Sequence, residues 1–139
     1  MKIYMIRFCS ALMLLFSVNL FADVSVIVHP SNGSALASKD IAKIFLGKKK
    51  SFPSGGKVAP LNLKEGNSVR EQFNKTVLGK SDNQIKSYWS KLIFTGKGAP
   101  PQEADSDAEI VGLVKANPNM IGYIDSSSVT PDVKVIFSF

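Results

Sequence analysis

KVAPLNLKEGNSVREQF, residues 57 to 73, is the stretch that decides the fold, because it joins a strand to a helix through a tight turn. Within residues 57–63 the apolar residues Ala59, Leu61 and Leu63 recur at every second position, which predicts a strand. Pro60 has no backbone N–H to donate, so this strand is predicted to lie at a sheet edge or to be irregular. The turn at 66–68 is predicted to lead into a helix that ends at Gly79.

The segments on either side alternate between strand and helix patterns. Further strands are predicted over 24–29, 120–124 and 133–139. Further helices are predicted to begin at Ser38, after Ser81 or Asp82, and at Ser106 or Asp107, with loops over 48–56 and 97–106. The resulting order β-α-β-α-α-α-β-β predicts the α/β class, as a three-layer-like single lobe with a mixed β-sheet flanked by helices.

Residues 1 to 22 have the three parts of a secretory signal peptide. Lys2 and Arg7 give a charged start, an apolar run follows from Phe8 to Phe21, and the small residue Ala22 ends the segment. The apolar run is shorter than the roughly 20 residues that a membrane-spanning helix needs, so no stable membrane anchor is expected after cleavage. We expect a periplasmic or secreted protein whose single domain spans residues 23–139.

Cysteine usage and charge restrict the function of that domain. Cys9, the only cysteine, lies in the signal segment, so the exported domain has no thiol nucleophile, disulfide or cysteine metal site. Without Lys2 and Arg7 the chain keeps 15 basic and 11 acidic residues, a net charge of +4. Such a mild excess suits a small anion or an acidic partner surface, and equally suits simple solubility. The basic turn 48–50 has no interleaved aromatic pattern, so nucleic acid is not expected as a partner.

Titratable groups that would form a catalytic set are scarce. His29 is the only histidine and ends an apolar strand, where local hydrogen bonding explains it better than catalysis or metal binding. Zinc would need three or four ligands that the domain does not offer. The alternating acids over 103–109 lack the central glycine of a calcium loop, and helix capping explains them better. We therefore expect no enzyme activity, no cofactor and no metal.

One group of residues forms a candidate anion site. Asn67 and Ser68 precede a helix whose first turn carries Arg70, so backbone N–H groups, the positive end of a helix dipole and a guanidinium come together. Ordinary capping by Asn67 or Ser68, with Arg70 paired to a surface carboxylate, explains the same residues equally well. The turn that holds Ser31 and Asn32 is a second, weaker polar group, which we expect to lie opposite the first.

Three segments carry a resemblance to a known family. LASKDIAKIFLGK (36–48), PLNLKEGNSVREQF (60–73) and MIGYID (120–125) resemble, in order and spacing, segments of the substrate-binding proteins of phosphate ABC transporters. The resemblance implies a lobe of the type II periplasmic binding fold, which holds its ligand in a cleft between two lobes. It makes phosphate or a similar small anion one candidate ligand.

The chain departs from that family in its motif and in its length. The family motif has an arginine and, after three intervening residues, Ser-Gly-Thr. An ungapped match places Leu63 at the arginine and 67–69 (Asn-Ser-Val) at the other three positions. Gly66, Arg70 and Phe73 do fall on positions that often carry those residue types. Family members are commonly more than twice as long, so this chain has the length of one lobe.

Two functions remain open from the sequence. The first is a non-enzymatic binding protein for phosphate or a similar anion, held at Asn67, Ser68 and Arg70. The second is a protein-interaction module of the cell envelope that keeps the lobe without its ligand. In that case a partner would meet either the basic turn at Lys48 or an exposed face, which is predicted to consist of Phe52, Pro100 and Pro101.

Overall fold

A computed structural model describes residues 23–139, and the predicted signal segment, 1–22, lies outside the described residues. The strands are β1 (Val24–Val28), β2 (Ala59–Leu63), β3 (Gln102–Ala104), β4 (Met120–Asp125) and β5 (Lys134–Ser138). The helices are α1 (Ser38–Phe45), α2 (Ser68–Phe73), α3 (Asp82–Phe94) and α4 (Asp107–Ala116). A π turn over Asn74–Leu78 extends α2, and a 3-10 turn over Ser126–Ser128 follows β4.

Within residues 23–139 the strands form one mixed sheet in the order β3-β2-β4-β1-β5. β2 is parallel to β3 and β4, whereas β1 is antiparallel to both β4 and β5. The predicted α/β lobe with a mixed sheet is therefore confirmed. β2, β3 and β4 all end at one end of the sheet, which we call the carboxyl end, and all begin at the amino end. β1 runs the other way and ends at the amino end.

Neighbouring residues on β4 show how helices cover both faces of the sheet. Tyr123 stacks on Phe73 of α2 at 4.0 Å and packs against Phe45 of α1 at 5.7 Å, measured between ring centroids. Gly122 points to the opposite face, where a Cβ would lie 2.6 Å from Cγ2 of Ile110 in α4. Helices α1 and α2 thus cover one face and α4 the other, which gives three layers.

Helix α3 packs outside these layers, against the end of α1. Its buried residues Ile85 and Trp89 form a small apolar cluster with Leu46. The Tyr88 hydroxyl donates to the Leu46 carbonyl at 2.6 Å. Gly47, with φ of +71°, lies so close to the Trp89 ring that a Cβ would be 3.1 Å away, which favours glycine at this helix end. Trp89 therefore serves to pack α3 against the end of α1.

Strand β2 is an interior strand, so the edge position predicted from Pro60 was wrong. The Ala59 N–H donates to the Asn119 carbonyl on the β4 side. Because successive N–H groups point to opposite sides of a strand, the Pro60 nitrogen faces β3. The pairing with β3 begins only at Leu61, so the proline removes no hydrogen bond from the sheet.

The loop predicted over 97–106 contains a short strand. β3 lies inside the predicted loop 97–106 and pairs in parallel with residues 61–63 of β2. Its three residues are too few to show a period, and pairing with β2 is what makes them a strand.

Phe52 belongs to the core with 5% of its surface exposed, so the exposed face predicted from Phe52, Pro100 and Pro101 was wrong at that residue. The backbone turn that joins Phe52 to Gly56 directs the ring inward.

Candidate functional site

The turn that follows β2 lies at the carboxyl end of the sheet, and we call residues 64–68 the mouth. Gly66 makes the turn with φ of +86°. The Asn67 side-chain oxygen accepts hydrogen bonds from the N–H groups of Val69 at 2.9 Å and Arg70 at 3.4 Å. Asn67 therefore caps α2, and its amide occupies two of the N–H groups at the start of that helix.

Ser68, the first residue of α2, is exposed. Among residues 23–139, no hydrogen bond engages its hydroxyl or its N–H. It lines an open groove of about 700 Å³ that runs between α2 and the start of α3 and that also exposes Gln72, Lys75 and Lys80. Ser68 is thus the residue of the predicted site that still offers donors to a ligand.

Arg70 lies under the mouth, with its side chain only 6% exposed. Its guanidinium donates to the Leu63 carbonyl at 2.9 Å, to Asp82 at 3.1 Å and to Glu103 at 3.0 Å. Burial alone would lower the pKa of Arg70, but the hydrogen bond with Glu103 and the charge of Asp82 outweigh burial and hold it above its usual value. Arg70 is therefore a buried cation that joins the end of β2 to α3 and β3.

A second buried polar group supports the same end of β2. The Tyr123 hydroxyl donates to the side-chain oxygen of Asn62 and accepts the Leu63 N–H at 3.2 Å. Burial raises the pKa of Tyr123, so its phenol stays protonated and keeps its donor. Together with Arg70, which holds the Leu63 carbonyl, Tyr123 fixes the last residue of β2 by both its backbone groups.

Two exposed lysines flank the mouth and both have carboxylate partners. Lys64 lies 2.5 Å from Asp105, and Lys86 lies 2.5 Å from Glu65. The hydrogen bond to Asp105 raises the pKa of Lys64, and the hydrogen bond to Glu65 raises that of Lys86. Lys64 and Lys86 are thus each paired with a carboxylate of the chain itself. These pairs are exposed, so their net contribution to stability is small.

The structure does not bring Ser31 and Asn32 to the mouth. Both follow β1, which ends at the amino end of the sheet because it is antiparallel to β4. Asn32 is buried, and its side-chain oxygen accepts the Ser34 N–H at 2.8 Å. The Ser31 hydroxyl lies 2.7 Å from Nδ1 of His29, which meets the local hydrogen bonding predicted for that histidine. The five predicted residues therefore fall into two groups at opposite ends of the sheet.

A group of serines at the carboxyl end was missed from the sequence. Ser25 lies within hydrogen-bond distance of Ser126 at 2.8 Å and of Ser138 at 3.2 Å, and Ser128 donates to Asp107 at 2.7 Å. The run of three serines directly after the predicted strand 120–124 was the available signal, because parallel strands place such residues beside the mouth. The carboxyl end therefore presents hydroxyls as well as paired charges.

Residues 23–139 hold neither a metal-ligating cluster nor a membrane-spanning helix. No three side chains of the histidine, cysteine, aspartate or glutamate types are grouped there so as to hold a metal ion. None of the helices in that range is long and apolar enough to cross a membrane.

No family model matches the chain, and no curated protein matches it either. Several solved structures do match the chain. An ABC-type phosphate transport receptor from Vibrio cholerae matches with a TM-score of 0.66 at 20% identity, over 84% of this chain and 46% of that one. A putative phosphate ABC transporter substrate-binding protein from Clostridium perfringens, solved with bound phosphate, matches with a TM-score of 0.67 at 23% identity, over 84% and 44%. PstS from Borrelia burgdorferi matches with a TM-score of 0.62 at 15% identity, over 84% and 47%.

The chain thus spans a little less than half the length of each of these structures. At such identities the likeness concerns the fold. The described residues, 23–139, fold as a single α/β lobe that is similar to part of each of these phosphate receptor structures.

Proposed function

We propose that this chain is an exported, non-enzymatic binding protein that holds phosphate or a similar small oxyanion at the mouth. One observation carries the proposal. Ser68 begins a helix directly after the interior strand β2, it is exposed, and no hydrogen bond within residues 23–139 uses its hydroxyl or N–H. A hydroxyl and an N–H at the positive end of a helix are suitable donors for an oxyanion.

The other two residues predicted beside Ser68 have supporting roles in this proposal. Asn67 fixes the start of α2 by capping it, and therefore orients Ser68. Arg70 holds the carbonyl of Leu63 and so positions the strand end from which the mouth begins. Its charge lies below the mouth and is shared with Asp82 and Glu103, so it adds little attraction for an anion. Ser31 and Asn32 have no part in this site.

The comparisons support the ligand class. The Clostridium perfringens structure carries bound phosphate, and the Vibrio cholerae protein is described as a phosphate transport receptor. A dissociation constant in the millimolar range, about −4 kcal/mol, is what we expect of one hydroxyl, one N–H and a helix dipole.

Calorimetric titration with phosphate tests the proposal. We expect heat that saturates at about 10 mM phosphate, and a two- to tenfold weaker dissociation constant for Ser68→Ala, since one neutral hydrogen bond contributes about 0.5–1.5 kcal/mol. Ser51→Ala is the matched control, because it removes an exposed hydroxyl beside Lys57, at the amino end of the sheet and away from the mouth. Absence of heat in the wild-type protein, or equal affinities for the two variants, would count against a site at Ser68.

Export is the second part of the proposal. We propose that residues 1–22 direct secretion and are removed after Ala22. The protein recovered from the periplasm of a Gram-negative host that expresses the full chain should have the intact mass of residues 23–139. Replacing Leu14 and Leu15 with arginine should keep the full-length chain in the cytoplasm, because it interrupts the apolar run. Recovery of an uncleaved chain from the periplasm would contradict the cleavage.

A protein-interaction module of the cell envelope is the second candidate. It is favoured by the pairing of Lys64, Lys86 and Arg70 with carboxylates, which leaves no unpaired cation of those three for an anion. This candidate predicts no phosphate heat at all, so the same titration separates the two functions.

A further inference from the structure

The fold separates charge between the two ends of the sheet. Helices α1, α3 and α4 each lead into a strand of the parallel set, so all three helices end near the amino end. The lysines near these helix ends and strand beginnings are Lys43, Lys48, Lys49, Lys50, Lys57, Lys91, Lys97, Lys115 and Lys134. Within residues 23–139, only Lys49 and Lys115 of this set are in ion pairs. The amino end is therefore strongly basic.

An apolar tip protrudes from this basic end. Phe94, the last residue of α3, has 93% of its surface exposed, and Ile93 before it has 55%. Lys91 and Lys97 flank the two apolar residues, and neither is in an ion pair within the described part of the chain. Two adjacent apolar side chains held out in water between lysines are costly for an isolated domain, which points to a partner surface.

The tip and the basic turn 48–50 belong to one surface. Lys49 and Lys50 line an apolar cleft of about 250 Å³ together with Trp89 and the loop 99–101. Gly98 lies against the Trp89 ring, so the chain that leaves the tip returns directly to this cleft. We call the combined surface, residues 48–50, 91, 93, 94 and 97, the basic face.

We infer that the basic face docks on an anionic phospholipid surface, with the Phe94 and Ile93 side chains inserted among the headgroups. The lysines match the negative charge of such a surface, and the protruding apolar pair matches a soft layer that opens around it. A folded protein partner would instead need a preformed concave pocket for a side chain as exposed as Phe94. The mouth, at the opposite end of the sheet, then faces away from the membrane and stays open to solution. The inference does not depend on phosphate binding at the mouth.

Vesicle co-sedimentation tests this docking. We expect the exported protein to sediment with phosphatidylcholine vesicles that contain about 30% phosphatidylglycerol, and to be released when salt rises from about 0.05 to 0.5 M. Pure phosphatidylcholine vesicles should retain at least tenfold less protein. Phe94→Ser should weaken binding about tenfold, and the pair Lys91→Glu with Lys97→Glu by tenfold or more.

A matched control and an optical readout complete the test. The pair Lys75→Glu with Lys80→Glu makes the same charge change in the groove beside α2, away from the basic face, and should reduce binding much less. The tryptophan emission of the Phe94→Trp variant should shift to shorter wavelength when the protein binds anionic vesicles. All variants share one N-terminus, so any effect of that segment cancels. Three outcomes would overturn the inference. The protein could bind neutral and anionic vesicles equally, or the two charge-reversal pairs could weaken binding equally. It could also fail to bind vesicles and capture an acidic protein instead.

Discussion

Arg70→Ala is expected to lower the free energy of unfolding by about 3 kcal/mol, because it removes the cation that Asp82 and Glu103 share at the end of β2. Asp82 keeps only 20% of its side chain exposed and would be left as a half-buried charge without its partner. The Leu63 carbonyl would also lose its guanidinium donor. Urea denaturation followed by circular dichroism measures the change.

Two further variants show whether the buried network is responsible. Lys86→Ala breaks an exposed ion pair with Glu65 and should cost less than about 1 kcal/mol. Arg70→Lys keeps the charge but cannot reach all three acceptors at once, so it should recover only part of the loss. An unfolding free energy for Arg70→Ala within about 0.5 kcal/mol of the wild-type value would mean that the network does not stabilise the fold.

Gly122→Ala should be comparably damaging, with a loss of about 2–3 kcal/mol. The new Cβ would lie 2.6 Å from Cγ2 of Ile110, and Ile110 is fully buried in the core and stiff at its β-branch. Helix α4 would have to move away from the sheet to admit the methyl group. Thermal unfolding of the two proteins gives the comparison.

The same helix supplies a matched control. Gly112 is exposed on α4, and nothing lies within 4 Å of the Cβ position there. Gly112→Ala should therefore stabilise the protein by about 0.5–1 kcal/mol through helix propensity. If both glycine variants changed stability in the same direction, the close approach of α4 to β4 would not be the reason for glycine at position 122.

Much of the fold could be predicted because the main elements have clear periods. The β-branched run of β1 and the segment 120–125 read directly as buried strands, and Ser81 and Ser106 cap helices at the predicted positions. β3 could not be found, since three residues show no period and the strand depends on β2, about 40 residues earlier along the chain. Pro60 indicated an edge position that β2 does not have, because a strand's neighbours cannot be read from its own sequence.

The site was harder to predict than the fold. Asn67 and Ser68 lie where the strand-to-helix pattern puts them, and Asn67 has the capping role that was one of the two expectations. Ser31 and Asn32 were misplaced because the direction of β1 relative to β2 is a property of the sheet and not of either segment. The two carboxylates that pair with Arg70, on Asp82 and Glu103, are 12 and 33 residues away along the chain, beyond the reach of local patterns.

Amide NMR spectra of the isotope-labelled exported protein, recorded while phosphate is added, test the central claim most directly. Binding at the mouth predicts that the backbone signals of 66–70 shift and saturate together, while those of 31–34 at the other end of the sheet stay in place. Sulfate should shift the same signals, because it offers the same oxygen geometry to Ser68. A spectrum that does not change at about 10 mM phosphate, or that changes only at 31–34, would contradict oxyanion binding at the mouth.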